Sequence, residues 1–275
     1  MNFITSGLNP WNQSIPMHAS WDLLWLSVLA GIAFFLVHGA YVRFLAKQQP
    51  DTAPLDAREF PERVPRHSLS ARLFHWVMAA AMLALLFTGF LPVVGVKFAW
   101  VQWHWLAGIV LIASFLFHVV HASLWLDFWS IWPDRQDVSD ARLRIIRALG
   151  RPSSPPPKPG KYPFENKLYH LTLVLVGFAV SITGVLMMMR VETPFFRRNP
   201  YALSDLSWGI VYVGHGMAGI SLVALVMVHI YFAIRPEKWP ITYSMIFGSM
   251  SRSHFVRHHD PERWKVARGG GKTAA

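Results

Sequence analysis

The chain has 275 residues, of which 53% are hydrophobic, including 13 tryptophans and 19 phenylalanines. Its formal net charge is +11, but the basic residues stand between long apolar runs, a pattern of membrane topology that argues against nucleic-acid binding. Because the chain has no cysteine, it has no thiolates for an iron–sulfur cluster, no thioether attachment for a c-type haem and no disulfide.

Five apolar runs are long enough to cross a hydrocarbon core of about 30 Å. They cover residues 21–45, 70–91, 101–125, 164–189 and 208–234. The run at 21–45 is too long, starts too late and is too polar at Asp22, His38 and Arg43 for an ordinary cleaved signal peptide. The sequence therefore predicts an all-α membrane protein with five transmembrane helices, the first of them retained.

Lysine and arginine predict the orientation of these helices. The loops 46–69 and 126–163 and the tail from Arg235 hold 4, 7 and 8 basic residues, against 0, 1 and 3 on the other side. By the positive-inside rule, the segment 1–20 is periplasmic and the tail 235–275 is cytoplasmic in a bacterial inner membrane. The second inner loop includes "RPSSPPPKPGKYP" (151–163), a proline-rich connector that cannot be helical or a central strand.

An internal repeat relates the last four helices. The third and fifth helices carry "HWLAGI" from His104 and "HGMAGI" from His215, and each motif is followed by another histidine after 14 residues. In the second and fourth helices, a histidine is followed after 13 residues by a Thr-Gly pair; these residues are His75 with Thr88-Gly89 and His170 with Thr183-Gly184. The repeat predicts a four-helix bundle at 66–234, with the helix at 21–45 as an accessory element.

Eight histidines lie within the predicted helices. A single intramembrane histidine often only hydrogen-bonds a neighbouring helix, but a repeated 14-residue spacing favours a functional role. Zinc and di-metal sites need more ligands or carboxylates, whereas a haem b needs one imidazole from each of two helices. Glycines beside the ligands provide space for a macrocycle or for close helix packing; these are Gly108, Gly214, Gly216 and Gly219.

The depth of the histidines predicts two haem levels. Fourteen helical residues rise about 21 Å and make nearly four whole turns, so His215 and His229 project from one face at two depths. At the outer level, His215 can pair only with His104. At the inner level, His229 can pair with His75, His118 or His170, and His38 of the first helix is at the same depth. Spacing alone leaves this inner pairing open.

Several motifs together resemble a known family: "RLFHWVMAAAMLALLFTGF" (72–90), "HWLAGI", "HGMAGISLVALVMVHIYFAI" and "SMSRSHFVRHHDPERW" (249–264). They are similar to the dihaem cytochrome b (gamma) subunit of membrane-bound formate dehydrogenases. The HW and TG signatures also occur in cytochrome b subunits of nickel–iron hydrogenases. The resemblance runs from Arg66 to Trp264 and leaves the first helix uncovered.

The resemblance implies two haem b groups with histidine on both axial positions. It implies an outer haem on His104 and His215 and an inner haem on His75 and His229, which leaves His118 outside the ligand set. The internal repeat instead favours His118 opposite His229. Near the quinone, the family has a "KYNAGQK"-like segment, which reads "KYPFENK" (161–167) here, with Pro163 in place of the usual asparagine. Three residues at the inner end of the fourth helix are candidate quinone contacts: Asn166, Lys167 and His170.

The predicted function is that of a respiratory cytochrome b subunit, which transfers electrons between a partner oxidoreductase and the quinone pool, either menaquinone or ubiquinone. The resemblance implies an iron–sulfur subunit and a molybdopterin subunit that oxidises formate. A hydrogenase, a sulfur-compound oxidoreductase, a multihaem cytochrome c or another periplasmic redox protein is an alternative partner. A haem-free transporter or a structural anchor, with histidines that relay protons or bind a metal, is an alternative of a different class.

Overall fold

The computed structural model describes residues 3–45, 59–152, 154 and 157–266. Four predicted segments lie partly outside the described residues. Residues 1–2 of the N-terminal segment 1–20 and residues 46–58 of the loop 46–69 are outside them. So are residues 153, 155 and 156 of the connector 151–163 and residues 267–275 of the tail 235–275.

The described residues form eight α-helices and four short strands. The helices are α1 (Asp22–Ala40), α2 (Leu69–Phe90), α3 (Trp100–Trp125), α4 (Arg135–Ala148), α5 (Phe164–Met188), α6 (Asp205–Ile234), α7 (Trp239–Phe247) and α8 (Arg252–His258). The strands are β1 (Ile4–Leu8), β2 (Ser14–Ala19), β3 (Arg63–Pro65) and β4 (Ser249–Ser251). A π-helical turn at Tyr41–Leu45 extends α1.

Five of these helices are long and apolar enough to cross a membrane, which confirms the predicted fold class. They are α1, α2, α3, α5 and α6, and with the π-helical turn included each begins and ends within three residues of the predicted bounds. Large apolar side chains such as Leu36, Leu116 and Ile182 are exposed on their surfaces, as lipid-facing residues are. The chain is a multi-pass membrane protein. The two small antiparallel sheets, β1–β2 and β3–β4, are additions that the sequence did not predict.

The chain divides into two compact units, whose boundaries fall within α2, α3, α5 and α6. The first unit holds the described residues of 1–46, 74–117 and 173–231. The second holds those of 47–73, 118–172 and 232–275.

In the first unit, the N-terminal hairpin packs on α6. Strands β1 and β2 are antiparallel, and Asn12 in the turn between them has a φ of 60°, a left-handed conformation that asparagine tolerates. The absence of a side chain at Gly209 permits the close approach, because a Cβ there would collide with the carbonyl oxygen of Pro16. Further along the same helix, a Cβ on Gly216 would lie 3.3 Å from the Cβ of Ala19.

Helix α1 also contacts α6. The Ser27 hydroxyl donates to the Ile220 carbonyl at 3.2 Å, and the rings of Phe35 and Tyr231 stack with centroids 4.7 Å apart. His38 Nδ1 lies 3.0 Å from the Tyr231 hydroxyl. The predicted accessory role of α1 stays a prediction, but these contacts place it beside the helix that carries His215 and His229.

The core of the first unit lies between α2, α3, α5 and α6. Its buried members come from three helices: Ala81 and Met82 of α2, Leu111 of α3, and Leu222 of α6. Side chains of α5, including Val176 and Val180, pack against them. This apolar centre fixes the rotation of each helix, and with it the direction of each histidine.

In the second unit, α4 is fastened by buried ion pairs. The side chain of Asp134 caps the helix by accepting from the Asp137 amide, and the carboxylate of Asp137 returns a bond to the Asp134 amide. Asp137 also accepts from the Lys167 ammonium at 2.6 Å, and Asp140 accepts from Arg263 at 2.7 Å. Removing one partner of such a buried pair typically costs about 3–5 kcal/mol.

The tail of the second unit has its own apolar core. Strands β3 and β4 pair antiparallel, and α8 follows β4 with Ser251 as its N-cap. Six buried residues form the core: Phe60, Val64, Met250, Phe255, Val256 and Trp264. Burying an aromatic side chain such as Phe255 contributes about 1.5–3 kcal/mol. The tail is therefore a folded element of the second unit.

The described part of the proline-rich connector has neither helix nor strand, as its prolines predict. It nevertheless packs on the tail. The Gly160 carbonyl accepts from His259 at 2.7 Å, and the Lys161 carbonyl accepts from Arg66 at 3.1 Å. These bonds make the connector part of the second unit's structure.

Candidate haem centre

The first pair of histidines consists of His104 on α3 and His215 on α6. Their ring centroids are 6.1 Å apart. Two imidazoles that bind opposite sides of one metal ion, with bonds of about 2.0–2.1 Å and ring centroids about 1 Å behind each nitrogen, have centroids about 6 Å apart. A direct N–H···N hydrogen bond of about 2.9 Å would bring them to about 5 Å. The first pair has the separation expected of two ligands that share one ion.

Two threonines orient the rings of the first pair. Thr88 Oγ1 lies 2.9 Å from His104 Nδ1, and Thr183 Oγ1 lies 3.0 Å from His215 Nδ1. Each threonine donates its own proton at 2.6 Å to a carbonyl of the preceding turn, that of Ala84 or Ala179. Each hydroxyl must therefore accept from the histidine, which places the imidazole proton on Nδ1 and leaves Nε2 as the metal-binding nitrogen.

The glycine after each threonine gives the ring its space. A Cβ on Gly89 would lie 3.4 Å from His104 Cε1, and one on Gly184 would lie 3.3 Å from His215 Cε1. The first distance is at the lower limit of an ordinary van der Waals contact, and the second is slightly below it. The Thr-Gly motif of the repeat thus has two roles, since the threonine bonds the ring and the glycine admits it.

The second pair consists of His75 on α2 and His229 on α6, with ring centroids 6.2 Å apart. The structure therefore brings together the two histidines that the family resemblance pairs, and it places His118 next to another residue. Both pairs use α6, on which His215 and His229 are separated by 14 residues or about 21 Å of helix rise.

The donor sets suit haem better than a bare metal ion. Within the described residues, no group of three or more histidines, aspartates and glutamates could hold a metal ion. A zinc ion takes three or four protein ligands, whereas a haem supplies four equatorial nitrogens and needs only two axial ones. Two-histidine sites of this separation fit haem.

The model of the prokaryotic cytochrome b561 family matches residues 66–248. The chain belongs to this family. It is a hydrogenase-type cytochrome b, a membrane electron-transfer protein of a family that binds haem b. A comparison with curated proteins finds no match. The match includes all four histidines of the two pairs, but axial ligation by His75, His104, His215 and His229 stays a prediction.

The other histidines of the cytochrome's membrane helices have different neighbours. His118 of α3 lies beside His170 of α5, with ring centroids 6.3 Å apart. His121 Nε2 lies 2.8 Å from the Ser70 hydroxyl. His38, as described above, contacts Tyr231.

The four glycines that the sequence singled out serve mainly as packing positions. Gly216 contacts the hairpin, and a Cβ on Gly219 would lie 3.5 Å from Phe90. A Cβ on Gly214 would lie 3.6 Å from Thr183, and one on Gly108 would lie 4.0 Å from Leu85. The glycines at which an added Cβ would meet the first pair of rings are instead Gly89 and Gly184.

The three candidate quinone contacts of the cytochrome have separate environments. Asn166 is exposed at the start of α5. Lys167 is buried, and its ammonium is bound to Asp137 and lies 3.5 Å from Asp134. His170 lies beside His118 and the Trp132 ring, with ring centroids 6.3 Å and 6.5 Å away. Their role at a quinone stays a prediction, and Asn166 is the one whose side chain is exposed.

A separate cluster of histidines lies in the cytochrome's tail. The rings of His254 and His258 are only 4.4 Å apart, and Arg66 lies 3.5 Å from His259 Nε2. Burial, followed by the charges of His258 and His259, lowers the pKa of His254 to about 3. Burial lowers the pKa of His259 to about 4, although its bond to the Gly160 backbone acts in the opposite direction. Burial also lowers the pKa of the Arg66 guanidinium.

Proposed function

We propose that this cytochrome b transfers electrons between a partner oxidoreductase at the periplasmic face and the quinone pool, through haem b groups held by His104 with His215 and by His75 with His229. The proposal depends on two histidine pairs whose ring separations suit a shared metal ion. Each pair has one member on α6, and these two members are about 21 Å apart along the helix axis. That distance is most of a hydrocarbon core of about 30 Å.

Each part of the chain has a defined task in this proposal. A bound haem supplies a one-electron couple at each pair. With one histidine of a pair on each side, a bound haem would have no position open for oxygen or substrate, so the two imidazoles would restrict it to electron transfer. Thr88 and Thr183 fix the tautomer and orientation of His104 and His215, which keeps each Nε2 directed at its ligand position. The surrounding apolar helices exclude water.

The second pair is the proposed electron donor or acceptor for quinone. A quinone takes up two electrons and two protons to become quinol, so a site on the cytoplasmic side would make turnover electrogenic. Asn166 supports this placement as an exposed donor at the start of α5, a helix whose first turn the positive-inside rule assigns to the cytoplasm. Lys167 and His170 complete the proposed set of contacts.

The proposed partner is a formate dehydrogenase, with an iron–sulfur subunit in contact with the periplasmic side and a molybdopterin subunit that oxidises formate. The support comes from the "HGMAGISLVALVMVHIYFAI" and "SMSRSHFVRHHDPERW" motifs. A nickel–iron hydrogenase is the second candidate, since the matched family is of the hydrogenase type.

Reduction of the purified, detergent-solubilised protein by a quinol tests the proposal. Oxidised protein should develop b-type α bands in a reduced-minus-oxidised spectrum when menadiol is added. In His75→Ala, menadiol should no longer reduce the haem on His104 and His215, whereas dithionite should still reduce it. A wild-type chain that lacks b-type bands, or a His75→Ala variant that menadiol reduces as fast as wild type, would contradict the proposal.

A further inference from the structure

His118 and His170 form a third pair of histidines that the proposed function leaves unassigned as ligands. Both residues belong to membrane-crossing helices, and their ring centroids lie 6.3 Å apart with an angle of 67° between the planes. The first pair has a separation of 6.1 Å and an angle of 70°. The third pair thus has nearly the geometry of the pair whose rings the threonines hold.

This separation is longer than a direct contact between imidazoles requires. A hydrogen bond between two rings would place the centroids about 5 Å apart, whereas two nitrogens on opposite sides of one metal ion place them about 6 Å apart. The third pair has the second of these separations. Its rings are therefore far enough apart to share an ion, but those of His254 and His259 in the tail are equally far apart, so the separation permits the assignment and the internal repeat carries it.

The internal repeat relates the third pair to the second. The structure validates the repeat at the first pair, where Thr88 bonds His104 as Thr183 bonds His215. The same correspondence relates His75 to His170 and His229 to His118. If each residue is replaced by its counterpart in the other half of the repeat, the second pair becomes His170 with His118, which is the third pair. The first pair becomes His215 with His104, which is the same pair again. If the second pair holds a haem, the repeat supplies an equivalent pair of ligands in the third.

The ligand class follows from the number of donors. Within the described residues, no third histidine or carboxylate joins His118 and His170 to make a site for a bare metal ion. His121, one turn after His118, directs its Nε2 at the Ser70 hydroxyl. A haem needs no further protein donor, because its macrocycle fills the four equatorial positions. The ring of Trp132 stands edge-on to His170 at 6.5 Å and provides an aromatic boundary.

We propose that His118 and His170 are the axial ligands of a third haem b. This inference rests on the proposed function only in taking haem as the cofactor of the first two pairs. It assigns His170 to a haem and so removes it from the quinone contacts, of which Asn166 and Lys167 then remain.

Haem stoichiometry tests the third site. The full-length chain is purified in detergent, and haem b per polypeptide is measured as the pyridine haemochrome against amino-acid analysis. Wild type should hold three haems, and His118→Ala and His170→Ala should each hold two. His121→Ala is the matched control on the same helix and should hold three. Two haems in wild type, unchanged in His118→Ala, would overturn the third site and leave the proposed function standing, whereas a haem-free wild type would overturn both.

A second variant distinguishes ligation from a packing role. His118→Met should retain three haems, but one midpoint potential in a redox titration should become more positive, because methionine in place of one histidine raises the potential of a haem. A packing role would leave every potential at its wild-type value, and that result would overturn the proposal even if His118→Ala failed to fold.

Discussion

The histidines of the membrane helices and those of the tail are the same residue type in two different arrangements. In the first unit, His104 and His215 face each other with ring centroids 6.1 Å apart. In the tail, the rings of His254 and His258 are 4.4 Å apart, so the two rings are in contact with each other and leave no room for an ion on the line between them. Ring separation therefore excludes an ion between His254 and His258 but not between His254 and His259, whose centroids are 6.3 Å apart, so the partners of the ring nitrogens must be compared as well.

The partners of the second ring nitrogen make the same distinction. In the first pair, a threonine accepts from each Nδ1, which leaves Nε2 as the nitrogen available to a metal. In the tail, the Gly160 carbonyl accepts from Nδ1 of His259, and its Nε2 faces the guanidinium of Arg66. A nitrogen that faces a buried cation takes part in a structural contact and is a poor candidate for a metal ligand.

The largest expected effect is the loss of a complete haem. Replacing His215 by Ala removes one proposed haem ligand of the first pair, so the variant should hold one haem fewer than wild type by pyridine haemochrome. His254→Ala is the matched change in the tail and should leave the haem content unchanged. Equal haem loss in the two variants would remove the distinction between the two groups of histidines.

A smaller effect is expected when the ring orientation of the first pair is released. Thr88→Val keeps the shape of the side chain but cannot accept from His104 Nδ1. Loss of such a hydrogen bond to a metal ligand typically costs about 10–100-fold in affinity, which haem titration of the apoprotein measures. Thr172→Val is the control, because Thr172 of α5 is hydrogen-bonded only to the Leu168 carbonyl among the described contacts. Unchanged haem affinity in Thr88→Val would show that the bond does not support the site.

The smallest effect concerns the tail and pH. The folded pKa of His259, about 4, is below the usual value of 6.5, so the unfolded tail binds more protons between these values. The stability of the tail should therefore decrease as the pH falls below 6.5, by about 2 kcal/mol at pH 5 for this group alone. Hydrogen exchange of α8 amides at pH 7 and pH 5, corrected for intrinsic rates, measures the change. In His259→Gln, the loss of tail stability between pH 7 and pH 5 should be smaller than in wild type. An equal loss of stability in that variant would show that another group causes the effect.

The membrane helices were predictable because their signal is local. Each is an uninterrupted apolar run, and the hydrocarbon thickness fixes its length, so the bounds of α3 differ from the prediction by one residue. By contrast, α4 is short and polar, and it depends on ion pairs with Lys167 and Arg263, which lie far away in the sequence. The β3–β4 sheet pairs strands that are more than 180 residues apart, and no local sequence pattern predicts such a pairing.

The candidate site was predictable in its residue types but only partly in its contacts. The repeat singled out Thr88-Gly89 and Thr183-Gly184, but their bonds to His104 and His215 depend on how neighbouring helices are rotated and on their relative height. The partner of His229 was open for the same reason, since several histidines lie at one depth. Lys167 stays a candidate quinone contact, but the sequence alone did not reveal that Asp137 lies beside it.

Helix α6 has a consequence for how the protein is made. It supplies one histidine to each of the first two pairs, and both the N-terminal hairpin and α1 pack against it. A ribosome reaches α6 last among the membrane helices, about 10 to 40 seconds after α1 at rates of roughly 5–20 residues per second. During that interval, the hairpin and α1 have no α6 to pack against, and neither pair has its second imidazole. In the proposed function, haem can therefore enter these pairs only after α6 has been synthesised, and a chain truncated before Asp205 would lack both His215 and His229.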